Sequence, residues 1–118
     1  MIPETLRLKG FTKANRYEMI DYAVSSITKS SGWVINHTMY ANKMIVINFE
    51  LEAKGARKLI DLLNRNGMVL FDDSIRLADD FPEVLDAADE VREIQGSVNI
   101  TFINDDPAVK MAVPPIPG

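Results

Sequence analysis

The sequence predicts an α+β fold, in which a β-sheet carries helices on one of its faces. Two patterns predict this fold: short runs of alternating polar and apolar residues, and longer runs in which apolar residues recur every three or four positions. Glycine, proline and asparagine punctuate these runs, where turns and helix ends are expected. The 118 residues are enough for one domain with its own core.

The first two elements are a strand and an amphipathic helix. Residues 5–10 alternate polar and apolar side chains and end at a glycine, which predicts a short strand. Residues 15–31 show helical spacing, with Asn15 or Thr12 as the N-cap and Gly32 as the stop. The buried stripe of this helix is predicted to be Tyr17, Ile20, Ala23, Val24 and Ile27.

An antiparallel hairpin follows, formed by Trp33–Tyr40 and Met44–Leu51. We predict that Tyr40 opposes Met44, because this register concentrates the apolar residues on one face better than its neighbour does. Trp33 then packs in the core at the start of its strand. The open face, and with it the candidate ligand or interface site, comprises Val34, Thr38, Tyr40, Met44, Val46 and Asn48.

The second half of the chain continues with alternating helices and strands. Asn66-Gly67 marks the end of the second helix, because glycine readily adopts the left-handed conformation there. The predicted elements are a helix at 53–66 with a basic outer face, a buried strand at 68–71, a loop at 72–81, a helix at 82–95 and a strand at 97–103.

The order of the first six elements, β-α-β-β-α-β over residues 5–71, resembles a ferredoxin-like sandwich. The last helix and strand are then a C-terminal α-β extension of that sheet. We expect a single α+β domain at residues 1–106, followed by a proline-rich flexible tail at 107–118. Such an order predicts architecture and carries no function by itself.

The composition excludes several classes of protein. The chain has no cysteine, which rules out disulfide scaffolds and thiolate metal sites and fits a cytoplasmic location. No apolar run approaches the length of a membrane span, and the first residues do not resemble a signal peptide. The formal net charge of −4 argues against nucleic-acid binding, and no cofactor-binding motif is present.

Charge is distributed unevenly along the chain. Residues 1–66 contain 10 Lys or Arg and 6 Asp or Glu, whereas residues 67–118 contain 3 and 11. The opposite charges of the two halves either neutralise each other within one molecule or attract neighbouring subunits to each other. The predicted third helix concentrates acidic residues at a spacing that favours either a solvated face or a basic protein partner. These acidic-face candidates are Glu83, Asp86, Glu90 and Glu93.

Three functions remain open, one of which is an adaptor whose acidic third helix docks a basic partner. The leading one is a small cytosolic, non-catalytic domain that self-associates through its open sheet face and binds a small ligand or partner protein, in a regulatory or scaffold role. The alternative is a metal-assisted or acid–base enzyme that uses the acidic 72–83 segment with the single histidine. Its residues are Asp72, Asp73, Asp79, Asp80 and His37. An EF-hand is rejected, since Arg76 and Leu77 occupy positions that need an oxygen ligand and a glycine, and no metal ligand is assigned.

Overall fold

The structure, a computed structural model, describes residues 2–103 as a mixed α+β fold built on a five-stranded sheet. The strands are β1 (Thr5–Thr12), β2 (Gly32–Tyr40), β3 (Met44–Glu52), β4 (Met68–Leu70) and β5 (Glu93–Phe102). The helices of this part of the chain are α1 (Arg16–Lys29), α2 (Ala56–Leu63), α3 (Asp72–Arg76) and α4 (Ala87–Glu90), with 3-10 turns at Ala53–Gly55 and Leu77–Asp80. The predicted tail at 107–118 and the domain boundary at 106 lie outside the described residues.

The strand order is β2-β3-β5-β1-β4, and it does not confirm the ferredoxin-like arrangement. β5 lies between β3 and β1, antiparallel to the former and parallel to the latter. In the predicted arrangement β1 and β3 would be neighbours, and the last strand would extend the sheet. Instead, the C-terminal strand is its central member, so the predicted α-β extension is part of the core.

The core lies between the sheet and helices α1 and α2. Every second residue of the long strands is buried, which is the pattern of a sheet covered on one face only. The strands contribute Leu6, Leu8, Ile45, Ile47, Phe49, Leu51, Ile94, Val98, Ile100 and Phe102, and the two helices contribute Met19, Ala23, Ile27, Ala56, Leu59, Ile60 and Leu63. Tyr22 links the helices, because its hydroxyl donates a 2.6 Å hydrogen bond to the carbonyl oxygen of Leu62.

Helix α1 begins as the sequence predicts. The side-chain oxygen of Asn15 accepts hydrogen bonds from the backbone N–H groups of Tyr17 and Glu18, at 2.9 and 3.1 Å. These bonds satisfy two of the amides that have no partner inside the helix. The helix ends at Lys29, and Gly32 begins β2 instead of ending the helix.

The hairpin has the predicted register at its turn and a different one at its base. Tyr40 opposes Met44, as predicted, but a bulge between Val34 and Asn36 shifts the pairing beyond it. Val34 therefore opposes Phe49 on the helix-covered face and is partly buried there, so its prediction as an open-face residue is wrong. One extra residue exchanges the two faces of a strand, since side chains alternate with a period of two.

The bulge also moves Trp33. Its prediction as a core residue is wrong: Trp33 opposes Glu50, is 40% exposed, and donates from Nε1 to the Glu50 carboxylate at 3.2 Å. The face that carries Glu50 is the one without helices, because the neighbouring Phe49 and Leu51 point into the core.

The predicted helix at 82–95 is wrong, because only Ala87–Glu90 is helical. Ile94 belongs to β5, where it opposes Leu51 and is fully buried. Val84 and Val91, which would share a buried stripe with Ile94 in such a helix, are 86% and 57% exposed. Burial of Ile94 in the sheet thus overrides the helical spacing of the segment.

Residues 72–81 form α3 and a 3-10 turn instead of the predicted loop. Phe81 ends this segment as a buried anchor beside α2. Arg57 of α2 donates two hydrogen bonds from Nη1, to the carbonyl oxygens of Ala78 at 2.9 Å and of Phe81 at 2.8 Å. The acidic half of the chain is therefore attached directly to the basic face of α2.

Candidate functional site

The open face of the sheet is the surface that no helix of residues 2–103 covers, and its register can be followed from strand to strand. One row of side chains crosses all five strands where β1 and β5 end. This terminal row consists of Tyr40, Met44, Thr101, Phe11 and Val69. Tyr40 and Val69 are 50% and 44% exposed, and Met44 and Phe11 are half-buried.

A third aromatic side chain joins this end of the face. Phe71 follows β4, is 47% exposed, and packs against Phe11 with ring centroids 5.7 Å apart and the planes tilted by 37°. A tilted contact of this kind is favourable between aromatic rings. The terminal row and Phe71 together form an exposed apolar surface along one end of the sheet.

The middle of the open face is polar. Asn36 accepts a 2.8 Å hydrogen bond from the Asn48 amide, and this pair lies in one row with Ser97 and Arg7. Two shallow hollows of about 160 and 260 Å³ lie next to Asn48. The next row carries Thr38, Val46, Asn99 and Lys9. The face is therefore apolar at one end and hydrogen-bonding in its centre.

The structure brings five of the six predicted open-face residues together, and their surroundings differ from the prediction. Thr38, Tyr40, Met44, Val46 and Asn48 share the face, while Val34 does not. The sequence reasoning missed Phe11, Val69 and Phe71, which supply much of the exposed apolar surface. The missed signal was the alternation Leu6, Leu8, Gly10, Thr12, which continues two residues past the predicted end of β1.

The predicted acidic face does not exist as one surface of a helix. Asp86 caps α4 by accepting from the Asp89 N–H at 2.9 Å, and Glu90 is the last residue of that helix. Glu83 precedes it and lies 3.8 Å from the Arg57 guanidinium, and Glu93 begins β5. Only Asp86 and Glu90 therefore belong to the same helix, and part of the charge of the four carboxylates is balanced inside the molecule.

The residues of the alternative enzyme are not brought together. His37 is exposed on β2, at one edge of the sheet, whereas α3 with Asp72 and Asp73 follows β4 at the other edge. Four interstrand spacings separate these edges, which is roughly 19 Å. Asp73 forms an ion pair with Arg76. Within residues 2–103, no group of three or more His, Asp or Glu side chains is arranged to hold a metal ion.

A second concave surface lies on the helix side and was not predicted. It is an open cleft of about 450 Å³ between α2 and the segment at 81–85. Lys54 and Lys58 line one wall, and Phe81, Val84 and Leu85 line the other. Arg57 also reaches it, but its guanidinium is already used by the two backbone carbonyls, so the cleft mainly reflects how this segment docks on α2.

Comparison with known proteins adds no functional information. The chain was compared with family models, curated proteins and solved structures, and none of them matched it. Among the described residues, no helix has the length and apolar character needed to cross a membrane.

Proposed function

We propose that this protein is a non-catalytic assembly domain of the cytoplasm, two copies of which associate through their open sheet faces. The terminal row with Phe71 carries the proposal, because three aromatic side chains and two aliphatic ones lie along one end of a face that no helix covers. Exposed apolar surface of this kind is typical of a contact with another molecule. The absence of cysteine from the sequence is compatible with the proposed location.

The position of β5 favours a second copy as the occupant. β5 is the middle strand of five, so a twofold axis parallel to it places each row of one sheet over the same row of the other. In the terminal row, Met44 then lies over Phe11 of the second copy, and Tyr40 lies over Val69 of the second copy. Aromatic and aliphatic side chains would alternate across the contact, and each copy would supply both kinds.

One charge pair supports the same arrangement, whereas the two Glu93 side chains approach each other on the axis at the start of β5. The axis places β1 of one copy over β3 of the other, so Arg7 and Lys9 lie near the Asn48 and Glu50 side chains of the second copy. Arg7 and Glu50 are then one row apart, within reach of a long side chain. The polar centre of the face remains hydrated in such a contact, as is common in reversible interfaces.

The area of the open face indicates how strongly the two copies are expected to associate. Five strands about 4.8 Å apart and eight residues of about 3.3 Å each give a surface of roughly 600 Å² per copy. Stable complexes bury about 800 Å² per partner, so we expect a reversible dimer that dissociates on dilution. The proposal involves no nucleic acid, membrane or cofactor.

Sedimentation velocity over a concentration series tests this proposal. The wild-type chain should associate at tens of micromolar, whereas Phe71→Asp and Val69→Asp should sediment as smaller species, because each places a carboxylate in the apolar contact and removes the face-to-face association. Val84→Asp is the matched control, since Val84 is exposed but lies far from the open face. A wild-type chain that is strictly monomeric, or variants that both sediment like the wild type, would disprove the proposal.

The cysteine-free sequence allows a direct test of the geometry. Thr101 lies on the middle strand, so a short bifunctional thiol reagent should cross-link Thr101→Cys to the same residue of the second copy across the roughly 10 Å between stacked sheets. If a small ligand or another protein occupies the face instead, Thr101→Cys will not cross-link and the Phe71→Asp chain will sediment like the wild type.

A further inference from the structure

The two edges of the sheet are treated differently by the chain. β4 has only three residues, and the backbone N–H groups on either side of Val69 already have acceptors. Met68 N–H donates to the Arg65 carbonyl at 3.1 Å, and Leu70 N–H donates to the Asn64 side chain at 3.0 Å. The chain then turns into α3. The β4 edge is thus short and capped by a carbonyl and a side chain of the preceding turn, which hinders another strand from pairing there.

β2 lacks these protections. It has nine residues, and its outer side pairs with no other strand within residues 2–103. It contains no proline, lysine, arginine or carboxylate, the residues that proteins use to keep exposed strand edges apart. Ile35 and Tyr40 are 53% and 50% exposed along it. A long, uncharged and partly apolar edge of this kind is suited to pairing with a further strand.

We propose that residues 36–40 of β2 pair with the same residues of a second copy, in antiparallel orientation about a twofold axis at Thr38. The bulge between Val34 and Asn36 ends the regular part of the edge, so five residues remain for a ladder, and Thr38 is their centre. The pairing joins two five-stranded sheets into one continuous sheet of ten strands.

The composition of these five residues explains why the occupant is a second copy. In this register Thr38 opposes Thr38, His37 opposes Met39, and Asn36 opposes Tyr40 of the other chain. No acidic or basic pair of like sign is brought together, and a Thr–Thr cross-strand pair is favourable. Twofold symmetry also makes the backbone ladder complete, since each chain offers the same outward groups to the other.

This contact is independent of the one proposed for the open face. In the face-to-face arrangement β2 of one copy lies over β4 of the other, so the two Thr38 residues are at opposite edges. In the edge-to-edge arrangement the two Thr38 residues are neighbours, and the two Thr101 residues are far apart. Single-cysteine variants therefore report the two contacts separately.

The test is oxidation of Thr38→Cys in the full chain. Opposed residues of an antiparallel ladder have Cα atoms about 4.5–5.5 Å apart, which suits a disulfide. The expected rate of dimer cross-linking is roughly tenfold or more above that of Val24→Cys, because pairing raises the local thiol concentration to about the millimolar range. Val24 is a fair control, since it is exposed on α1, away from the edge.

Amide exchange supplies the second measurement. The backbone amides of residues 36–40 that point outward should exchange more slowly as the concentration of wild-type protein rises, while those of β4 should not change. A Thr38→Cys chain that cross-links no faster than Val24→Cys overturns the proposal, as does exchange that is independent of concentration. Faster cross-linking of Asn36→Cys than of Thr38→Cys overturns the twofold axis at Thr38.

Discussion

The ring of Phe49 lies over Gly96, its cross-strand partner in β5, and occupies the space that a side chain at position 96 would need. Phe49 is among the largest fully buried side chains of the core. The glycine makes room for an aromatic ring between the sheet and its helices, at the centre of the central strand.

We therefore expect Gly96→Ala to destabilise the protein by about 1–3 kcal/mol, because a methyl group forces the Phe49 ring out of its position. Urea unfolding followed by circular dichroism measures this change. Ser97→Ala, on the open face next to it, should have little effect. The double variant Gly96→Ala, Phe49→Leu should lose less stability than the sum of the losses of the two single variants, since the smaller side chain at position 49 relieves the clash. Additive losses would show that the contact is not the cause.

The second prediction concerns the attachment of residues 77–85 to α2. Arg57→Ala removes both hydrogen bonds to the Ala78 and Phe81 carbonyls and should cost about 1.5–3 kcal/mol. Limited proteolysis should then cut within residues 77–85 before the rest of the domain. Lys58→Ala is the control, because Lys58 is exposed on the same helix. Equal cleavage rates in both variants would contradict the role given to Arg57.

The third prediction concerns Thr12, which is fully buried. Its hydroxyl donates to the Gly67 carbonyl at 2.7 Å and accepts from the Ala14 N–H at 3.0 Å, so it connects the end of β1 to the turn before β4. Thr12→Val keeps the shape but leaves both backbone groups without a partner, at a cost of about 1–3 kcal/mol. Thr12→Ser should lose clearly less. Thermal unfolding of the three chains measures the order.

The fourth prediction uses the single tryptophan as a probe. Because Trp33 is 40% exposed, acrylamide should quench its fluorescence readily in the native protein. A tryptophan packed in the core would resist quenching until the protein unfolds. Quenching that increases only on addition of urea would show that Trp33 is buried and that the bulge in β2 is misplaced.

Residues with strong local patterns made their elements predictable. The helical spacing of Ala23 and Ile27 and the cap at Asn15 predicted α1 without reference to the rest of the chain. The predicted burial of Tyr17 and Val24 is wrong, since they are 67% and 37% exposed, and Met19 is buried in the stripe instead. The hairpin turn between Tyr40 and Met44 was predictable in the same way as α1, because one register buries the apolar residues. Such signals lie within a few residues of each other and need no tertiary information.

The errors arose where a distant contact decided the outcome. Ile94 fits a helical stripe with Val91 equally well, and only its pairing with Leu51 of β3 makes it a strand residue. No local signal marks the bulge beside Val34, and no residue of β5 indicates that it lies between β1 and β3. The apolar end of the open face was missed for the same reason, because Phe11 and Val69 come from strands that meet only in the sheet.

The central place of β5 also has a consequence for how the protein is made. On the ribosome β1, β3 and both major helices emerge first, but β1 and β3 lack their native neighbour, since β5, which lies between them, is the last described element to be synthesised. A nascent chain that stops before residue 93 lacks the strand that pairs with both β1 and β3, and with it the core residues Ile94, Val98, Ile100 and Phe102. Folding is therefore expected to wait for β5, and chaperones that shield unpaired strands should associate with this chain during its translation.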